Sequence, residues 1–178
     1  LGEAGPGLVS KWYGAHVGSA FALRDQAVNN QLESWCLPQG IAVSLWREIA
    51  AGRPGLLSKV GLGTFVDPRL EGGRMNECTD SNVAELVEFD GEEYLYYKSF
   101  PLKVALLRGT VADENGNIST IEEGMLLEVL PAVMATKRWG GKVIAQVKEI
   151  VVTNDASLIT IDGNTIQIPA GEIGNVEV

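Results

Sequence analysis

Soft metal ligands and imidazole are scarce in this chain: 178 residues hold two cysteines and one histidine. Cys36 sits in an apolar run and Cys78 in a polar stretch, and neither has a metal-type partner spacing. Two cysteines cannot build the disulfide framework of a small secreted domain, so both are read as free thiols in a reducing compartment. No metal is expected. No apolar run reaches the roughly 20 residues that a membrane helix needs. The opening Leu1-Gly2-Glu3-Ala4-Gly5 has neither the basic start nor the apolar stretch of a secretory signal. It also lacks methionine, and the chain is read as a fragment or a processed piece. Positive charge is the minority, 14 Lys and Arg against 23 Asp and Glu, for a formal net charge of -9 and a pI near 4.6. Non-specific nucleic-acid binding needs a basic surface, so neither nucleic acid nor a membrane is expected as a partner. Internal repeats, low-complexity tracts and a convincing linker are missing too, which predicts a single domain over residues 1–178.

What is present is the composition of a globular domain, 46% hydrophobic and 21% charged, with enough chain to bury a core unaided. The pattern predicts a short helix over Leu23–Leu32, a buried strand over Leu32–Leu37, and a helix over Gly40–Ala51 with Ile41, Leu45 and Ile49 on one face. Gly52 closes that helix and Pro54 blocks its continuation. Lys59–Phe65 reads as strand and loop, and Arg69–Asp80 as irregular. Glu85–Tyr97 reads as a hairpin turned at Asp90-Gly91. Val104–Leu107 is a compact buried strand and Asp113–Asn117 a turn. Glu122–Trp139 reads as a long helix, acids first and Lys137-Arg138 last, with Pro131 expected to kink it. Lys142–Val152 is a strand, and Ser157–Ile168 a hairpin turned at Asp162-Gly163. Strands alternating with helices predict an α/β fold: an open, mostly parallel sheet flanked by helices, with antiparallel hairpins added.

Some residues invite chemical readings. Leu37-Pro38-Gln39-Gly40 is a strand-to-helix turn, which exposes backbone N–H groups at a positive helix end; by pattern it is also an ordinary helix start. Gly61-Leu62-Gly63-Thr64 has little side-chain bulk, fitting either close approach of a ligand or a flexible loop. His16 has no Ser, Cys or acidic partner at motif spacing, which by itself favours a structural role. Asp113–Asn117 opens like a calcium loop but fails as one, since Ile118 holds the glycine position and Gly124 the bidentate glutamate position. Tyr94, Tyr96 and Tyr97 beside Lys98 belong to a half-buried hairpin rather than a nucleic-acid surface. Arg108 is expected to form a structural ion pair rather than to hold a substrate carboxylate.

An ordered set of segments carries more than any of these. It comprises Gly14-Ala15-His16-Val17-Gly18, Leu37-Pro38-Gln39-Gly40, Ile49-Ala50-Ala51-Gly52-Arg53-Pro54-Gly55, Lys59 through Arg69, Gly72-Gly73-Arg74-Met75-Asn76, Asp90 through Leu95, Leu107 through Asn117, and Val143 through Val147. In order and spacing, from about residue 12 to residue 152, it resembles class I coenzyme A transferases of the propionate or acetate type and the mitochondrial succinyl-CoA:3-ketoacid type. The chain resembles most of the N-terminal, or alpha, half of such an enzyme. Residues 153–178 depart from the pattern: Ile168-Pro169 matches its closing strand, and Thr153–Gln167 reads as an insertion.

The resemblance implies transfer of coenzyme A between a short-chain acyl-CoA and a free carboxylic acid, by ping-pong chemistry through a glutamyl-CoA thioester. No glutamate here has the context of that nucleophile, and Glu122 and Glu123 read as helix-opening acids. The catalytic residue is therefore expected in a second, C-terminal (beta) half or subunit. The same resemblance implies that Gln39, Gly40, Gly61, Gly63, Thr64 and His16 contact substrate. It implies no cofactor beyond coenzyme A as substrate, a homo- or hetero-oligomer, and a cytoplasmic or mitochondrial-matrix setting. The alternatives are a non-catalytic acyl-CoA-binding or assembly domain of the same fold, and a sugar-phosphate isomerase on a related fold. The last lacks a phosphate-cradling loop paired with a carboxylate base.

Overall fold

The computed structural model describes residues 5–124 and 128–151, and the backbone of two further strands at 158–161 and 164–167. The chain forms two compact units, Leu1–Phe100 and Pro101–Val178.

In the first unit, β1 (Lys11–Gly14) pairs in parallel with β2 (Glu33–Cys36). A parallel pair needs a crossover, and α1 (Phe21–Val28) supplies it. β2 carries the core of the unit. Trp35 is 1% exposed, its ring is stacked on Tyr13 at 4.3 Å, and its indole N–H donates to the Ser81 carbonyl. On the side of β2 away from β1 runs an irregular segment. There the Cys36 N–H donates to the Gly73 carbonyl, the Met75 N–H to the Ser34 carbonyl, and the Ser34 N–H to the Thr79 hydroxyl. After β2 comes α2 (Gln39–Ala50), whose Ile41, Leu45 and Ile49 are buried at four-residue spacing, as the periodicity predicts. β3 (Gly55–Ser58), β4 (Glu85–Phe89) and β5 (Glu92–Lys98) then form an antiparallel sheet in the order β3-β5-β4. Its hairpin turns where the sequence places it. Asp90 and Gly91 have φ of 53° and 76°, the two positive values that a type I′ turn requires.

In the second unit, β6 (Val104–Asp113) lies between β7 (Ile118–Ser119), antiparallel, and β8 (Lys142–Val151), parallel. α3 (Val129–Arg138) is the crossover between β6 and β8 and buries Ala135 and Thr136. The final strands, β9 (Leu158–Ile161) and β10 (Asn164–Gln167), are antiparallel, as the expected hairpin requires. Its turn at Asp162-Gly163, and Ile168-Pro169, fall outside the described residues.

All three described helices end in one way. A residue in the left-handed region follows the C-cap, and the next two N–H groups close back on the last turn. Asn30, Gly52 and Gly140 take that position, with φ of 55°, 72° and 65°. The closing bonds are Gln31 N–H to Gln26 O, Arg53 N–H to Glu48 O, and Gly141 N–H to Thr136 O, at 2.8, 2.9 and 2.9 Å.

The fold class is α/β, with parallel pairs flanked by helices and hairpins added. Among the described residues the parallel pairing is divided between β1–β2 and β6–β8. Three expectations are corrected. The helix expected over Glu122–Trp139 is shorter, beginning at Val129 with Glu128 as its N-cap. Glu122 and Glu123 lie in a turn, held by the Glu122 N–H donating to the Thr110 hydroxyl. Pro131 consequently falls in the first turn of α3, where its missing N–H leaves no intrahelical bond unmade, and it kinks nothing. The first helix runs Phe21–Val28 rather than Leu23–Leu32. The strand expected within Lys59–Phe65 lies earlier, at Gly55–Ser58, because Gly61 and Gly63 take φ of 105° and 68°, outside the extended range.

Candidate functional site

Ligands of α/β sheets gather at the carboxyl ends of parallel strands, where the connecting loops leave. At that end of β1 and β2, three of the segments singled out in the sequence meet. The Leu37 N–H donates to the Gly14 carbonyl at 2.9 Å, and the Cys36 thiol faces the Ala15 carbonyl at 3.5 Å. The loop carrying His16 thus lies beside the turn that leads to Gln39. On the opposite side of β2, the Cys36 N–H donates to Gly73 O at 2.8 Å and the Gly73 N–H to Phe65 O at 3.0 Å. Phe65 directly follows Gly61–Thr64. One junction, at Cys36, therefore ties the His16 loop, the Gln39 turn and the glycine turn to the same strand end.

Gln39 is the first residue of α2, after Pro38 as N-cap. The helix start has no side-chain cap and no acidic residue in its first turn. Among the described residues, the backbone N–H groups of Gln39 and Gly40 and the Gln39 carboxamide have no hydrogen-bond partner, and both residues are exposed. The first N–H groups of a helix are ordinarily orphaned; here Pro38 has none and the Ile41 N–H donates to the Pro38 carbonyl, which leaves those of Gln39 and Gly40 free at the positive end of the helix dipole. Gly40 has no packing reason to be glycine: a Cβ there would meet nothing within 4 Å.

The glycine turn contributes differently. Gly61 is buried, and a Cβ on it would lie 2.6 Å from the Tyr97 hydroxyl and 2.9 Å from Leu95 Cδ1. Its glycine is required by packing. Gly63 is exposed, and a Cβ there would meet nothing within 4 Å. The Gly63 N–H is taken by Asp67 Oδ2 at 2.8 Å, and the Thr64 N–H and hydroxyl both go to the Gly61 carbonyl, at 3.1 and 2.8 Å. The donors of Gly63 and Thr64 are spent within the turn, so it offers clearance rather than hydrogen bonds. His16 is exposed and its imidazole packs over Gly18, where a Cβ would lie 2.7 Å from His16 Cε1. It has no hydrogen bond among the described residues.

Cys36, at the centre of the junction, is half-buried, and burial pushes its thiol pKa up. A protonated thiol is a poor nucleophile.

Sequence reasoning missed what shapes the glycine turn. Asp67 is 1% exposed and accepts from the Gly63 N–H, the Arg69 N–H, Arg69 Nε at 3.0 Å and Arg69 Nη2 at 2.8 Å. The Arg69 guanidinium and two backbone amides hold its carboxyl well below the usual carboxylate range. Arg69 Nη1 reaches Glu93 on β5 at 2.9 Å. The only advance sign was an acid and an arginine two residues apart around Pro68.

The second unit has a cleft of about 250 Å3 between β6, β8 and the 120–124 turn, lined by Arg108, Thr110, Glu122, Glu123, Gln146 and Lys148 among others. Arg108 points into it, opposite Gln146 in the strand register. The structural ion pair expected for Arg108 is not formed among the described residues, where its side chain is exposed on β6. Asp113 does organise a turn, its carboxylate accepting from the Asn115 and Asn117 N–H groups and from Asn117 Nδ2. Among the described residues, no helix is long and apolar enough to cross a membrane.

Residues 4–169 match the profile of the family described as Coenzyme A transferase. The chain is 54% identical over 172 residues to a caffeate CoA-transferase of Acetobacterium woodii, covering 97% of this chain and 32% of that protein. It is 37% identical over 163 residues to the acetate CoA-transferase YdiF of Escherichia coli O157:H7, covering 92% of this chain and 30% of that protein. A crystal structure of YdiF in a thioester complex with CoA superposes with a TM-score of 0.82, over 93% of this chain and 33% of that chain. The chain thus spans about a third of the length of these relatives.

Proposed function

This chain belongs to the coenzyme A transferase family, and on that premise we propose that it forms most of the N-terminal half, as one domain, of an enzyme exchanging coenzyme A between a short-chain acyl-CoA and a free carboxylic acid. Coenzyme A is the family's substrate, and no further cofactor enters the reading. The nucleophile is a glutamate carried outside this chain, on a second half that is either covalently continuous or a separate subunit. The working enzyme is an oligomer of the cytoplasm, or of the mitochondrial matrix if the source is eukaryotic.

The chemistry sets what this half must provide. The glutamate carboxylate attacks the thioester carbonyl, the C–S bond breaks, and the coenzyme A thiolate leaves an acyl-glutamyl anhydride. The thiolate then attacks the glutamyl carbonyl and expels the carboxylate of the donor acid, giving a glutamyl-CoA thioester. The acceptor acid runs the same steps in reverse. Each addition places negative charge on a carbonyl oxygen, which needs fixed donors aimed at it.

One observation carries the reading: at the carboxyl end of β2, the start of α2 holds a Gln39 carboxamide and two backbone N–H groups with no partner among the described residues. In this role Gln39 and the N–H groups of Gln39 and Gly40 steady the oxyanion. Gly40 and Gly63 leave room for the substrate to approach, Gly61 and Thr64 set the curve of the turn, and His16 lines the acyl side.

Trapping tests it. With the second half present, acyl-CoA followed by hydroxylamine should label a glutamate outside residues 1–178. A label on this chain, or exchange of label between acyl-CoA and free acid with no trapped glutamate, contradicts the assignment.

A further inference from the structure

We propose that Asp67 and Arg69 are positioning residues for the Gly63-Thr64 turn, holding it in the shape that receives acyl-CoA. The proposal rests on the functional reading above, which places that turn against the substrate.

Residues 59–73 contain no helix or strand. A stretch of that length keeps one conformation only if internal bonds replace a ladder. Asp67 is the hub of those bonds. Its backbone N–H donates to Thr64 O at 2.9 Å, and its carbonyl accepts from the Leu70 and Gly72 N–H groups at 2.9 and 3.0 Å. Its carboxylate binds the Gly63 N–H on one side and the Arg69 fork on the other. A buried carboxylate without a partner is strongly unfavourable, so Asp67 occupies this place only with Arg69 beside it.

Arg69 extends the hold to a rigid element. Its remaining nitrogen, Nη1, meets both Glu93 oxygens at 3.0 and 2.9 Å. Glu93 lies on β5, the strand whose Tyr97 donates to the Val60 carbonyl at 2.9 Å. The turn is therefore fastened to β5 before Gly61 and again after Asp67, with Gly63 and Thr64 exposed between the fastenings. Neither Asp67 nor Arg69 needs to touch substrate. Their effect is pre-organisation: a loosened turn is binding-competent for only part of the time, which weakens apparent affinity by that fraction and leaves the bound complex unchanged.

The kinetic consequence separates this from a merely structural role. A fold defect lowers the amount of active enzyme, and so lowers kcat at constant KM. Arg69→Lys keeps the charge but loses the planar fork. In the enzyme assembled with its second half, it should raise the KM for acyl-CoA at least fivefold with kcat within twofold. Glu93→Gln, which loosens only the outer fastening, should shift KM in the same direction by about half as much on a logarithmic scale. An unchanged KM in both variants, or a fall in kcat alone, overturns the proposal. Amide hydrogen exchange on the assembled protein gives a reading that does not depend on catalysis. Exchange over residues 61–67 should quicken at least tenfold in Arg69→Lys, with β5 unchanged. Unaltered exchange there refutes the positioning role even if the enzyme works, whereas altered exchange in an assembly with no transferase activity refutes the functional reading and leaves the role of Asp67 and Arg69 as holders of the turn intact.

Discussion

The Tyr97 hydroxyl stands 2.6 Å from where a Cβ on Gly61 would sit, while donating to the Val60 carbonyl at 2.9 Å. The two residues fix each other. Tyr97 is fully buried and cannot withdraw, and Gly61 holds φ of 105°, which only glycine adopts freely. Gly61→Ala should therefore suffer both backbone strain and overpacking, the latter costing about 1–3 kcal/mol. Gly63→Ala meets open space and should incur only the left-handed strain of about 1–2 kcal/mol. Urea unfolding of the two variants should rank Gly61→Ala clearly below Gly63→Ala; equal midpoints would show that Tyr97 yields.

Gly40 offers the converse case. Its φ lies outside the left-handed region and nothing stands within 4 Å of a Cβ. On folding grounds Gly40→Ala should be neutral or stabilising, by up to ~1 kcal/mol. If Gly40 borders the substrate, the same methyl should cut kcat/KM for acyl-CoA at least fivefold in the assembled enzyme. Full activity in a variant of normal stability would remove Gly40 from the site.

Gln39→Ala should leave the melting temperature within error, since the exposed carboxamide has no partner among the described residues. As an oxyanion donor its loss should lower kcat by about 10²–10³-fold. Gln39→Glu should be no better, because it sets a negative charge where another develops. Steady-state kinetics with acetyl-CoA and a free acid would decide the point.

Burial, reinforced by the charge of Asp67, pushes the Tyr97 hydroxyl up to about 12 from an ordinary 10.0. The unfolded chain ionises first, so stability present below pH 10 should drain away between about pH 10 and 12. Tyr97→Phe should abolish that part of the slope. Asp67 acts at the other end. Its carboxyl is held below the ordinary 3.8 by Arg69 and backbone amides, so its contribution stands above that pH and is lost as acid is added. Thermal melts across both ranges would show each limb.

Much of the local structure was legible in the residue order. Ile41, Leu45 and Ile49 marked one buried helix face, and Asp90-Gly91 demanded a hairpin, because each signal depends on neighbours three or four residues away. The misreading at Glu122–Trp139 has an equally local cause. Acids at one end and bases at the other satisfy a helix dipole, but they cannot reveal that the Glu122 N–H is claimed by Thr110, twelve residues earlier on β6. Once the start moves to Val129, Pro131 changes from a defect into an ordinary first-turn residue.

The candidate site was visible as a set of segments but not as a place. Which family the chain belongs to, which face of the Gln39–Ala50 helix is buried, and which glycines are available for tight turns follow from the sequence itself, since spacing and side-chain chemistry are carried in the order of residues. The meeting of Gly14, Leu37, Phe65 and Gly73 around one strand end does not, because hydrogen bonds between residues so far apart in the chain exist only after β1 and β2 have paired. The same holds for Asp67, Arg69 and Glu93. Their geometry needs a turn and a hairpin 24 residues apart to be brought into register, and only the folded chain does that.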